Sequence, residues 1–464
     1  MPKNNFMYAC LSNGRNTDKS GGPGKPPFSD RVKALFSSHH LVGNFFHYRT
    51  GIKILGLDYD QVFEQGRLDL NPDKWADFGP LNFHFGPPPG VLPALKRAVS
   101  TRDLTYYPPN IIPQLRETAA RTLFRRRCGA DFEIMATEGV QAALAYAVLT
   151  FINPGDEVII TDPGYFFLEI PVVLAGGKVK RLILSKKNGY RIDLHGLKAR
   201  ITKRTKAIIV CDPINPFGTV QSKKELEGII DLANRHNIMV FNNMTHGFHR
   251  LDSGAAHYPM SSLAHKDLRN VLTIAGLSHG FGLAGLRVGF LGGRPELVSA
   301  VLAAKSALTR INMSVSMQYA ALAALKDRTY IRRGGAMLKK NFRLLKEIVA
   351  SVPSLRFVVE PQYGFFACID TSAVKASCQE LTVALLKRKC AVYPSDGLGN
   401  TDPISYLRLN FSTPRREHFM WLKKALPEAI KEAETGKYRP AVIEFFRSVG
   451  TERAKNVIRR IKAI

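Results

Sequence analysis

Four short runs set the architecture: Val158-Ile-Ile-Thr161, Ala207-Ile-Ile-Val-Cys211, Ile238-Met-Val-Phe241 and Val271-Leu-Thr-Ile274. Each is β-branched and apolar on both faces, which a strand tolerates only when both faces are covered. Between them lie amphipathic helical stretches such as Lys223 to Arg235, with Leu226, Ile229, Ile230 and Ala233 on one side. Buried strands separated by helices predict a largely parallel sheet with helices on both faces. Ligands of such sheets sit beyond the carboxyl ends of the strands.

After about residue 330 the pattern changes. A long helix from Arg332 to about Ser351 leads to Leu355-Arg-Phe-Val-Val359, Gly364-Phe-Phe-Ala-Cys-Ile369 and Tyr406-Leu-Arg-Leu-Asn-Phe411, which read as a smaller α+β unit. The expected organisation is a flexible basic arm over 1–28, rich in Gly, Pro, Ser and Lys, and a segment over 29–85 that joins the small unit. A large domain over 86–330, a small C-terminal domain over 331–434 and a basic helical tail over 435–464 complete it. In the tail Ala454, Val457, Ile458 and Ile461 share one helical face, and its basic face is expected to be solvated.

Charge and cysteine usage narrow the function classes. The chain carries 66 basic and 38 acidic residues, a formal charge of +28. Such a field attracts anions: nucleic acid, acidic membranes, or phosphorylated and carboxylated small molecules. The Lys and Arg are spread along the whole chain without a reader motif, so nucleic acid is not expected. Six cysteines show no CxxC spacing, which argues against a zinc site and a disulfide framework. No run approaches the roughly 18 to 20 apolar residues that span a bilayer, and no apolar core follows Lys3 as in a secretory signal. A soluble, cytoplasmic protein is expected.

Thr137-Glu-Gly-Val-Gln-Ala-Ala-Leu144, Asn153-Pro-Gly-Asp-Glu-Val158, Asp162-Pro-Gly-Tyr165, Asn215-Pro-Phe-Gly218, Ser278-His-Gly-Phe-Gly-Leu-Ala-Gly-Leu-Arg287 and Tyr406-Leu-Arg408 follow one another in order. Together they resemble the class I/II aminotransferases, the fold-type-I pyridoxal-phosphate enzymes, from roughly residue 80 to 430. The resemblance implies an α/β fold: a large domain with a mostly parallel seven-stranded sheet, plus a smaller α+β domain. It also implies a cofactor pocket. Gly139, Val140 and Gln141 open a predicted helix, where backbone N–H groups suit a phosphate. Tyr165 resembles the aromatic that stacks on the pyridine ring, and Asn215 the residue that bonds its hydroxyl. Arg287, with Ser278 nearby, looks like the phosphate-binding arginine. Arg408 resembles the arginine that clamps the substrate carboxylate, and Gly86 is placed with it on the substrate side. Tyr106 resembles the tyrosine lent across a dimer interface, so a homodimer is expected.

Three central positions depart from that pattern. His279 stands where the Schiff-base lysine belongs, and the flanking Phe281-Gly-Leu283 and Arg287 keep their register. An imidazole cannot hold the aldehyde cofactor covalently, but its ordinary pKa of ~6.5 suits proton transfer. Asn243 replaces the aspartate that keeps the pyridine nitrogen protonated, which weakens the ring as an electron sink. His246 replaces the tyrosine that assists the ring hydroxyl. Gly276 stands where a phosphate-binding serine is common, Phe217 fills a threonine slot and Ile111 replaces a glycine.

The first expectation is therefore an aminotransferase-like enzyme that uses pyridoxal or pyridoxamine phosphate noncovalently on an amino acid or amino-acid-like carboxylate. His279 and His246 act as acid and base, and ordinary transamination is not expected. The runner-up is a cofactor-independent acid–base enzyme, performing cyclisation, elimination or condensation on the same scaffold. The third is a non-catalytic binding protein, supported by the charge and by Arg453, Lys455, Arg459, Arg460 and Lys462 of the tail.

Overall fold

The computed structural model describes residues 29–37, 46–57, 62, 70–79, 83–100, 105–309, 312–399 and 405–464. The expected arm over 1–28 lies outside the described residues.

A two-residue strand β1 (Ala76–Asp77) runs parallel to β11 (Cys390–Ala391), so the N-terminal segment is stitched to the C-terminal unit. The large sheet comprises β2 (Glu133–Thr137), β3 (Glu157–Asp162), β4 (Lys178–Ile183), β5 (Thr205–Cys211), β6 (Met239–Asn243), β7 (Val271–Gly276) and β8 (Gly289–Gly293). Its order is β2-β8-β7-β6-β5-β3-β4, and β8 alone runs antiparallel to its neighbours. The runs read from the sequence fall within β3, β5, β6 and β7, except that Ile238 precedes β6 by one residue. Side chains such as Ile159, Ile209, Val240 and Leu272 are buried, because helices cover both faces.

One covering helix shows why the periodicity was legible. It spans Lys223–His236, starts on a Ser222/Glu225 capping box and stops where Asn237 turns left-handed at φ 51. Leu226, Ile229, Ile230 and Ala233 form its buried face, as the spacing predicts.

The smaller sheet is antiparallel, in the order β12 (Tyr393–Pro394), β13 (Tyr406–Asn410), β10 (Phe366–Asp370) and β9 (Arg356–Val359). The long helix Tyr330–Ala350 precedes it. The chain closes with helices Arg439–Val449 and Glu452–Lys462. In the last of these, Ala454 and Ile461 are buried, with Val457 and Ile458 packed beside them. Its charged face is not all solvated: Arg453 turns inward to the carbonyl oxygen of Gly399, with the Asp396 carboxylate 3.4 Å away. No helix among the described residues is long and apolar enough to cross a membrane.

Candidate active site

The carboxyl ends of the parallel strands converge on one cavity of about 230 Å³. After β2 comes the helix Val140–Phe151, which supplies Val140 and Gln141. After β3 comes Tyr165; after β5, Asn215; after β6, His246, with Asn243 as the last residue of that strand. The single-turn helix Leu277–Gly280 after β7 supplies Ser278 and His279, and Arg287 precedes β8. All of these line the cavity, together with Cys211, Thr245 and Ala284.

At one end of the cavity lies an oxyanion cradle. Gly139 caps the twelve-residue helix at φ 93, a conformation that disfavours any side chain, and a Cβ there would lie 2.6 Å from Nη2 of Arg287. The guanidinium therefore rests directly over the start of that helix. The first-turn N–H groups of a helix have no partner within the helix itself, and their partial positive charge adds to that of Arg287. Gln141 donates from Nε2 to the carbonyl of Phe167 at 2.8 Å, tying the helix to the Tyr165 segment. A methyl group occupies the serine slot: a Cβ on Gly276 would lie 2.4 Å from Cγ2 of Val140.

At the other end two imidazoles are stacked. The rings of His246 and His279 are 4.9 Å apart at 13°, with Phe365 and Phe366 packed edge-on against His246. Burial, reinforced by His279 and Arg408, pushes the pKa of His246 well below its ordinary value. Its ring orientation follows from a chain of bonds. Nη1 of Arg408 donates to Oδ1 of Asn215 at 3.3 Å, which turns the Asn215 amide nitrogen toward Nε2 of His246 at 3.4 Å. Nε2 is therefore the acceptor, and His246 carries its proton on Nδ1. Tyr165 and Cys211 are each pushed up to about 12 by burial, so both are neutral near pH 7.

Arg408 lies behind the cavity and is not part of its wall. It is 1% exposed. Pairing of β13 with β12 sets it opposite Tyr393, and its guanidinium is held between that ring at 4.5 Å and Phe366 at 4.2 Å. It has no carboxylate partner among the described residues, and its Nε and Nη2 are buried without a hydrogen bond. A buried cation with two unused donors is costly and fits an incoming carboxylate. Burial lowers its pKa, but a guanidinium remains charged in a protein.

The remaining expected residues fall outside the cavity wall. The Gly86 carbonyl accepts a hydrogen bond from the Tyr330 hydroxyl and lies against Gly282. Tyr106 is 70% exposed and does not line this chain's own cavity. Among the described residues no lysine lines the cavity. The buried Lys305 is bonded to the carbonyl of Ala136 and to Asn312, each at 3.1 Å. Sequence reasoning missed Thr245, although its signal was present. Asn243-Met-Thr245 is the spacing of a turn in which an asparagine oxygen accepts from the N–H two residues on.

A mostly parallel seven-stranded sheet with one reversed strand, and a cavity beyond its strand ends, define an enzyme of the fold-type-I pyridoxal-phosphate class. A family model, aminotransferase class I and II, matches residues 74–419, and the chain belongs to that family. It is 30% identical over 319 residues to an aspartate aminotransferase of Pyrococcus abyssi, covering 67% of this chain and 80% of that protein. It is 29% identical over 347 residues to an aspartate/prephenate aminotransferase of Thermus thermophilus, covering 74% and 86%. Among solved structures, the aromatic aminotransferase of Pyrococcus horikoshii superposes with a TM-score of 0.69 at 25% identity, covering 78% of this chain and 96% of that one. A Thermus thermophilus aspartate aminotransferase double mutant gives 0.72 at 24%, covering 89% and 100%.

Proposed function

We propose that this enzyme binds pyridoxal or pyridoxamine phosphate without a covalent bond and acts on an amino acid or amino-acid-like carboxylate by proton transfer, outside ordinary transamination. The observation that carries the reading is the stacked His246–His279 pair in a cavity whose wall, among the described residues, holds no lysine. When bound, the cofactor supplies an electron-withdrawing ring and a primary carbonyl or amine.

Each residue then has a defined task. The N–H groups after Gly139 and the Arg287 guanidinium would hold the phosphate dianion, and Tyr165 would hold the ring. Asn243 would serve the ring nitrogen, and Asn215 with His246 the ring hydroxyl. Arg408 takes the substrate carboxylate through its unused Nε and Nη2 once the wall in front of it, which includes its partner Asn215, moves aside, and this replaces a desolvated charge by a paired one. His279 accepts and returns the proton at the substrate α-carbon, while His246 stays neutral beside it because burial, reinforced by His279 and Arg408, disfavours its cation. Exposed Tyr106 reaches the cavity of a second copy in a homodimer.

A second reading is favoured by the Val140 methyl in the serine slot of the cradle. It makes the phosphate end poorer in donors than the fold allows, as a cofactor-independent acid–base enzyme would tolerate. Titration of the dialysed protein with pyridoxal phosphate and pyridoxamine phosphate, followed by calorimetry and absorbance, separates the two. Saturable binding that borohydride does not convert into a covalent adduct is expected. No affinity for either form, with activity indifferent to both, would leave the second reading standing.

A further inference from the structure

We propose that Thr245 is a positioning residue that turns the Asn243 amide so that its NH2 group faces the cavity, and that a pyridine ring seated there keeps its nitrogen unprotonated. The inference rests on the cofactor reading above and specifies the chemical form in which the ring is held.

The direction of the amide follows from its neighbours. Oδ1 of Asn243 accepts from the Thr245 backbone N–H at 3.1 Å and also from the Thr245 hydroxyl. Reversing the amide would set its NH2 against a backbone N–H that cannot rotate away, leaving two donors in conflict inside the fold. Nδ2 is therefore the atom left over. It has no protein partner among the described residues, and Asn243 belongs to the cavity wall. A donor at that place asks for an acceptor on the ligand.

The surroundings agree. Arg287 is a permanent cation, while Tyr165 and Cys211 are held neutral, and among the described residues no carboxylate lines the cavity. The other titratable groups facing the ring are His246 and His279, neither of which offers negative charge. A pyridinium ion would thus enter a positive field with a donor aimed at its own N–H, and the neutral ring is preferred. Electron withdrawal by such a ring is weak, so proton transfer must carry more of the reaction than in a site with an acid beneath the ring.

The test is nitrogen-15 magnetic resonance of ring-labelled pyridoxamine phosphate bound to the full-length chain at neutral pH. The expected signal is that of a hydrogen-bonded, unprotonated pyridine. Asn243→Asp should move it to the pyridinium position, Thr245→Val should shift it a small part of the way because only the backbone N–H is left to hold Oδ1, and Thr245→Ser should return it to the wild-type value. A pyridinium signal in the wild-type chain would overturn the inference and leave the cofactor reading intact, whereas no binding by any variant would remove that reading and the inference with it. Should Thr245→Val behave as wild type, the positioning role falls. If that variant does not fold, the wild-type and Asn243→Asp spectra still decide the protonation state.

Discussion

The two ends of the cavity have diverged by different amounts. The cradle end keeps what an oxyanion needs: a helix start, the left-handed Gly139 and a guanidinium over it. The far end holds His279, His246 and Asn243, where the family resemblance leads one to expect lysine, tyrosine and aspartate. Binding groups that act by fixed partial charge are preserved in kind, while the groups that set protonation are replaced. The comparison teaches that the scaffold supplies anion capture almost without regard to the chemistry beside it. Backbone N–H groups cost nothing to retain once the helix forms, whereas side-chain identity alone decides where protons go.

The largest test of that contrast is at the far end. His279→Ala should lower turnover by about 10²–10⁴-fold, the usual share of a positioned acid–base group, with cofactor affinity unchanged. His279→Lys should gain a borohydride-fixed pyridoxal phosphate, read as a mass increase. Equal loss of binding and turnover in the alanine variant would mean that the ring only fills space. Next, Arg408→Met should weaken carboxylate substrates by roughly 30- to 4,000-fold, since truncating one side of a buried charge pair costs about 2–5 kcal/mol. Calorimetry should find phosphate capture at the other end unaffected.

A pH effect should mark the support beneath the far end. His249 is buried, stacks on Phe83 and bonds the Gly280 carbonyl next to His279, and burial lowers its pKa to about 4. The unfolded chain protonates this residue near its ordinary pKa of ~6.5 and the folded chain only near 4. Its contribution is therefore complete above pH ~6.5 and is lost as the pH falls, by roughly 3 kcal/mol in all. Denaturant titrations across that window should show the slope, and His249→Asn should reduce it by this share, leaving that of the other buried histidines such as His257.

At the cradle end the expected effects are smaller. Arg287→Ala should cost about 1.5–3 kcal/mol in affinity for pyridoxal phosphate, the worth of hydrogen bonds to a charged group, and nothing for pyridoxal. An equal loss for both would place the phosphate elsewhere. Gly276→Ser should destabilise the fold by about 1–3 kcal/mol, because its Cβ meets the Val140 methyl. Adding Val140→Ala should recover most of that, and the non-additivity is the quantity to measure.

Much of this was legible locally. The strands after which Tyr165, Asn215, His246 and His279 sit are short β-branched runs, and the Lys223 helix shows its capping box and apolar stripe within fourteen residues. The placement of Arg408 was not legible. The residue has the right identity for a carboxylate clamp, yet it lies behind the wall, bonded to Asn215 and held between two rings from other strands. The inward turn of Arg453 was hidden for the same reason, since its partners at residues 396 and 399 lie far back in the chain.

By itself the sequence determined the order of elements, the absence of a lysine at position 279 and the neutral amide at 243. Those are matters of residue identity and of periods two and 3.6, which the chain carries at every point. Only the tertiary structure decided that His246 and His279 stack, that Oδ1 of Asn243 is held by Thr245, and that Arg408 is buried without a counter-charge among the described residues. Each of these depends on which groups distant in sequence come within bonding range, and packing settles that after the local pattern has been spent.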